Sequence, residues 1–119
     1  MSASRNIVPT SPFIQFATLP ISTGSFEAAM DIFGPFADVV ERTVPGCLEF
    51  ALYKSVNNET GEINIIISER YVNSEAHDKF TSSSVYQNMI NQTVENNVLR
   101  GESVLTPVEA QVGGFTNRG

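Results

Sequence analysis

The sequence predicts an α+β domain with the element order β-α-β-β-α-β, a four-stranded sheet with its helices on one face. Three observations carry this. An apolar stripe at helical spacing begins at Phe26, two strand-like runs flank the polar loop Asn57–Gly61, and a last short strand-like run follows Arg100-Gly101. That order is the ferredoxin-like split arrangement.

Taken in order, "FIQFATLPI" from Phe13 to Ile21 reads as the first strand. Pro20 cannot donate a ladder hydrogen bond, so this end is expected at a sheet edge or exit. Ser25 is placed to cap a helix with Glu27 in its first turn, and Phe26, Ala29, Met30, Phe33, Ala37, Val40 and Val44 form its apolar face. Gly34-Pro35 interrupts that stripe, which predicts a kink or two helical pieces. "CLEFALYKSV" is the second strand. Strict alternation there puts Leu48, Phe50 and Leu52 on one face and Cys47, Glu49, Ala51 and Tyr53 on the other.

Gly61 can take a positive φ in the hairpin loop, and "INIIISERYV" from Ile63 to Val72 pairs back. Asn73 or Ser74 caps the next helical region, which breaks into two segments near Ser82-Ser83-Ser84, and "ESVLTPV" supplies the fourth strand. Residues 1–12 read as a loose arm, 13–110 as the domain and 111–119 as a tail. Both faces of this sheet carry apolar side chains, and pairing two sheets across a two-fold axis is the economical way to cover the second face.

At 119 residues the chain suffices for one core, and 41% hydrophobic against 17% charged content fits a folded protein. The lone Cys47 permits no internal disulfide. No apolar run has the length of a membrane span or the character of a secretory signal, so a reducing, cytoplasmic setting is expected. With a net charge of −6 and only seven scattered Lys and Arg residues, the chain has no clustered basic surface for nucleic acid or an anionic membrane. A small, fairly apolar ligand or another protein is the expected partner.

Three stretches carry a more specific signal: "VPGCLEFALYKS", "SERYVNSEAHDKF" and "SSVYQNMI". Their Pro-Gly-Cys corner, Glu-x-aromatic strand end, acidic-Ala helix start and Ser-x-x-aromatic segment resemble the antibiotic biosynthesis monooxygenase domain of the dimeric α+β barrel superfamily. The likeness extends over about Phe13 to Leu105. It implies a homodimer with a ligand cavity between each sheet and its own helices. Members include oxygenases that act on quinols or anthrones without metal or flavin, haem-degrading enzymes and cyclases.

The resemblance also implies site residues. Tyr71 stands where quinol-oxidising members carry a substrate-facing Trp, and His77 stands where they can place a phenol. Their substrate-contacting amide falls near Ile67, which cannot hydrogen-bond, and Phe80 replaces a histidine common in other members. The position of the iron-ligating His in haem-degrading relatives falls at Ile90, so haem is not expected.

Cofactor-free oxygenation needs a dry pocket, a proton acceptor and stabilisation of a phenolate or enolate. His77 is the only histidine, a residue type suited to proton transfer near neutrality, although an inward-facing His can equally be a satisfied core residue. Glu69 shares a strand face with Tyr71, where it either orients a base or makes a cross-strand ion pair or dimer contact. Phe80, Phe50, Tyr86, Phe33 and Tyr53 are candidate pocket walls that could equally be core. Cys47 lacks a neighbouring base in sequence and reads as a small buried residue.

The leading expectation is therefore a cofactor-independent monooxygenase. It would oxidise a phenolic, quinol or anthrone-type polycyclic intermediate of secondary metabolism with molecular oxygen, using no metal. Tyr71 would hold the substrate hydroxyl and His77 would move its proton. A cyclase or isomerase using the same pocket, or a non-catalytic dimeric binding module, stays open.

Overall fold

The computed structural model describes residues 11–109 and 112–114. Most of the expected arm and tail, namely residues 1–10, 111 and 115–119, lies outside them. The elements are β1 (Phe13–Ile21), α1 (Phe26–Thr43), β2 (Cys47–Val56), β3 (Ile63–Tyr71), α2 (Ser74–Thr81), α3 (Ser84–Glu95) and β4 (Val104–Val108). The sheet order is β2-β3-β1-β4, with every neighbouring pair antiparallel, so the β-α-β-β-α-β arrangement is the observed one.

The two faces of the sheet differ sharply. Ala17, Leu19 and Ile21 of β1 and Ile65, Ile67 and Tyr71 of β3 are buried beneath the helices. The alternate positions, among them Ile14, Phe16, Ile66 and Val104, face the other way, and Phe16 is 41% exposed. Such alternation is the period-two signature of a half-covered antiparallel sheet. No helix among the described residues is long and apolar enough to cross a membrane.

Two expectations about local structure are corrected. Of the kink or two pieces expected at Gly34-Pro35, the two pieces are overturned: α1 runs as one helix from Phe26 to Thr43 with Pro35 inside it. The proline removes one backbone donor, but Ile32, Phe33, Phe36 and Val40 bury around it on the sheet, and that packing holds both halves in one helix. Ser25 occupies the cap position without a side-chain capping bond. In β2, a bulge between Cys47 and Glu49 breaks the strict alternation. Cys47 therefore pairs with Tyr71 and shares the helix face with Phe50 and Leu52, while Leu48 is left exposed.

The helix ends behave as their residues dictate. Asn73 Oδ1 accepts from the Ala76 amide at 2.8 Å, and Ser83 Oγ accepts from the Tyr86 amide at 3.3 Å. The second cap fixes where Tyr86 enters α3. The Pro-Gly corner also has a steric reason: a methyl group at Gly46 would sit 2.9 Å from Ala76 Cβ, so only glycine lets α2 approach so closely. At the opposite end of the sheet, Arg100 Nη1 donates to the carbonyls of Ile21 (2.7 Å) and Ile63 (2.8 Å), tying β1 to β3.

Candidate active site

Between the helices and the sheet lies a cavity of about 200 Å³. Its walls are mostly apolar: Ala17 and Leu19 from β1, Ile67 from β3, Phe33 and Phe36 from α1, Phe50 from β2, and Met89 and Ile90 from α3. Leu99, Ser103 and Leu105 border it on the β4 side, where Leu105 is exposed. Into this apolar space project the polar side chains of Gln15, Glu69, His77, Thr81, Tyr86 and Thr93. Mostly apolar walls with a few convergent polar groups are the usual make-up of a small-molecule site.

Glu69 is the central group. It lies on β3 opposite Gln15 of β1 and is only 8% exposed. The Tyr71 hydroxyl donates to its Oε1 at 2.7 Å, and Gln15 Nε2 donates to its Oε2 at 3.4 Å. Burial raises its pKa above the ordinary carboxylate value, and the bonds from Tyr71 and Gln15 and the nearby His77 pull it part of the way back. The expected cross-strand ion pair does not form among the described residues: Glu69 faces the helices and has hydroxyl and amide partners. Parity along the strand was legible in the sequence; which parity faced the helices was not.

Tyr71 is fully buried, and its ring does not line the cavity. Burial first, and the Glu69 charge second, push its pKa up, so the hydroxyl stays protonated and acts as a donor. Its one hydrogen goes to Glu69, which leaves Tyr71 acting through that carboxylate and not on a ligand directly.

His77 does reach the cavity. Its ring stacks on Phe13 at 4.3 Å and meets Tyr71 edge-on at 5.0 Å, and its Nδ1 lies 3.5 Å from Asp78 Oδ1. Tyr86 lines the cavity too, set edge-on against Phe80 (5.4 Å) and Phe36 (6.4 Å). Burial, followed by the Glu69 charge, pushes its pKa up.

The five candidate wall residues separate. Phe33, Phe50 and Tyr86 line the cavity. Phe80 instead sits behind it, buried between the rings of Phe36 (5.8 Å) and Tyr71 (5.9 Å). Tyr53 pairs with Ile66 on the opposite face of the sheet and is 56% exposed, so it takes no part in this cavity. Cys47 lies outside the lining, its thiol donating to the Glu49 carbonyl at 3.3 Å. Burial is the main cause raising its pKa, which keeps the thiol protonated. Gln15 escaped notice in the sequence because a lone glutamine in an apolar strand carries no motif; its even spacing from Phe13, Ala17 and Leu19 was the available clue.

A split β-α-β-β-α-β sheet with a buried acid and a histidine at an aromatic-walled cavity defines a ferredoxin-like α+β domain with an internal cavity. Residues 12–92 match the model of the antibiotic biosynthesis monooxygenase family, and the chain belongs to that family. No curated protein matches it significantly. Among solved structures it is similar to a protein assigned to the antibiotic biosynthesis monooxygenases from Caulobacter crescentus, with TM-score 0.74 and 18% identity over 87% of this chain and 92% of that one. It is also similar to Rv0793 from Mycobacterium tuberculosis, with TM-score 0.71 and 21% identity over 88% of this chain and 100% of that one. A third, from Nitrosomonas europaea, gives TM-score 0.72 and 10% identity over 85% of this chain and 91% of that one. At such identities the likeness speaks for the fold.

Proposed function

We propose that the protein is a cofactor-independent monooxygenase acting on a phenolic, quinol or anthrone-type aromatic, with Glu69 as the proton acceptor. The observation that supports this most is a buried carboxylate, held by Tyr71 and Gln15, at the edge of an apolar cavity. Proton transfer near neutrality works best with an acceptor whose pKa lies above the ordinary carboxylate value, and burial moves Glu69 in that direction.

In this scheme Glu69 removes a proton from the bound aromatic, and Tyr71 positions Glu69 for it. His77, beside Tyr71 at the cavity wall, passes the proton outward. The electron-rich anion gives its electrons to dioxygen: in an anthrone the ring CH₂ becomes C=O, in a phenol the hydroxyl and the ring C–H opposite it become the two C=O groups of a quinone, and a quinol becomes a hydroxyquinone. The second oxygen atom leaves as water with the two hydrogens. Phe33, Phe50 and Tyr86 pack against the substrate rings. The protein works as a homodimer, with the uncovered sheet face around Phe16 and Ile66 buried against a second copy.

The test is oxygen uptake with a panel of anthrones and quinols. Glu69→Gln and His77→Ala should each lower the rate about 100-fold while leaving the far-ultraviolet dichroism unchanged. Wild-type rates in both variants would contradict the scheme. Product formed equally well without oxygen would replace it with cyclisation or isomerisation in the same cavity.

A further inference from the structure

The central strand β1 is apolar along its helix face except at one position. Ala17, Leu19 and Ile21 follow the expected pattern, but Gln15 is buried among them with 6% exposure and lines the cavity. A leucine would complete the apolar wall at less cost, because a buried amide must be hydrogen-bonded to be tolerated.

The amide of Gln15 is only partly used. It carries two N–H donors and a carbonyl acceptor. Among the described residues its side chain makes one bond, the long 3.4 Å contact from Nε2 to Glu69 Oε2. One N–H and the carbonyl oxygen are left over beside the carboxylate, and both belong to a side chain at the cavity wall.

The charges around the cavity narrow what can occupy it. Among the described residues no lysine or arginine lines it, and Glu69 is its one acid. Among the same residues His77 is its one potential cation, and Asp78 Oδ1 is already 3.5 Å from its Nδ1. A carboxylate ligand would enter a largely apolar space beside Glu69 with no counter-ion of its own, which is a costly burial. A neutral hydroxyl suits the same place, since it can donate to Glu69 and accept from the spare N–H of Gln15.

We propose that Gln15 is a substrate-contacting specificity residue, which with Glu69 selects an uncharged hydroxyarene and rejects arenes bearing a carboxylate. This rests on the proposed reading of the cavity as an aromatic-hydroxyl site. It goes further by naming the selecting residue and the charge class of the substrate.

The experiment titrates the full chain and its Gln15→Met variant with naphthalene, 1-naphthol and 1-naphthoate at pH 7, followed by calorimetry. Methionine keeps the length and volume of the side chain and removes its hydrogen-bonding atoms. The wild type should prefer 1-naphthol over naphthalene by about tenfold, and the variant should lose about fivefold of that preference. Naphthalene itself should bind both proteins alike, an outcome that a merely structural role for Gln15 would not produce. The wild type should also bind 1-naphthoate at least about tenfold more weakly than 1-naphthol.

If 1-naphthol binds but Gln15→Met keeps the full preference, or if 1-naphthoate binds as tightly, the inference fails while the aromatic-hydroxyl site stands. If 1-naphthol does not bind the wild type at all, the reading of the cavity fails and the inference goes with it.

Discussion

Tyr71 and Glu69, two residues apart on β3, hold each other beneath the helices: the phenol hydroxyl donates to the carboxylate at 2.7 Å, and both side chains are buried. Residues at i and i+2 of a strand share a face, so the backbone itself delivers this pair, and the sheet fixes its orientation.

Removing the hydroxyl should therefore act through Glu69. In Tyr71→Phe the carboxylate loses a bond that favours its charged form, so its pKa should rise further. The acid limb of the pH–rate profile should move to higher pH, with stability lowered by about 1–3 kcal/mol. An unshifted limb would mean that Tyr71 is packing alone. The measurement is oxygen uptake across pH 5 to 9.

The same shift has a consequence for stability. The folded-state pKa of Glu69 lies above its unfolded value of 4.5, so the folded protein binds the extra proton more tightly than the unfolded chain. The contribution is fully present below pH 4.5 and is lost as pH rises through the folded-state value. Urea unfolding at intervals from pH 4 to 8 should show wild type losing stability relative to Glu69→Gln over that range. Parallel curves would contradict the shift.

Phe80 should behave as core. It is buried and packed against Phe36, Tyr71 and Tyr86. Phe80→Ala should cost about 3–5 kcal/mol in chemical denaturation. Phe50→Leu, at the half-buried cavity wall, should cost less than about 1.5 kcal/mol and show its main effect in the affinity for an aromatic ligand.

The uncovered sheet face offers a separate check. Phe16 is 41% exposed at the centre of a face that also presents Ile14, Ile66 and Val104. The wild type should sediment as a dimer. Phe16→Asp, which would bury a charge in the joint, should sediment as a monomer at micromolar concentration. A monomeric wild type would remove the dimer from the proposal.

Much of this molecule could be read from its residues, and the gaps have physical causes. The boundaries of β1, the start of β3, the break between α2 and α3, and the Asn73 cap follow from period and capping chemistry, which act locally. The bulge at Cys47-Leu48 could not be anticipated, because a single extra residue leaves no mark on an apolar run; it reversed the facing assigned to Cys47. Pro35 did not split α1 into two helices, because tertiary packing outweighed the local break. The site divided along the same line. That Glu69 and Tyr71 share a face followed from parity, whereas Gln15 joins them only through the β1–β3 register, a non-local fact. Tyr53 fell on the wrong side because its strand was counted correctly but its face was not known.

Glu69 holds its proton more tightly than an ordinary carboxylate while bonded to Tyr71 and Gln15, and the proposed chemistry depends on it. The direct measurement is a carbon-13 NMR titration of the glutamate side-chain carboxyls, with Glu69 assigned by its disappearance in Glu69→Gln. One carboxyl resonance should titrate clearly above the others and move higher still in Tyr71→Phe. A Glu69 resonance that titrates with the exposed glutamates, unmoved by loss of the tyrosine hydroxyl, would contradict it.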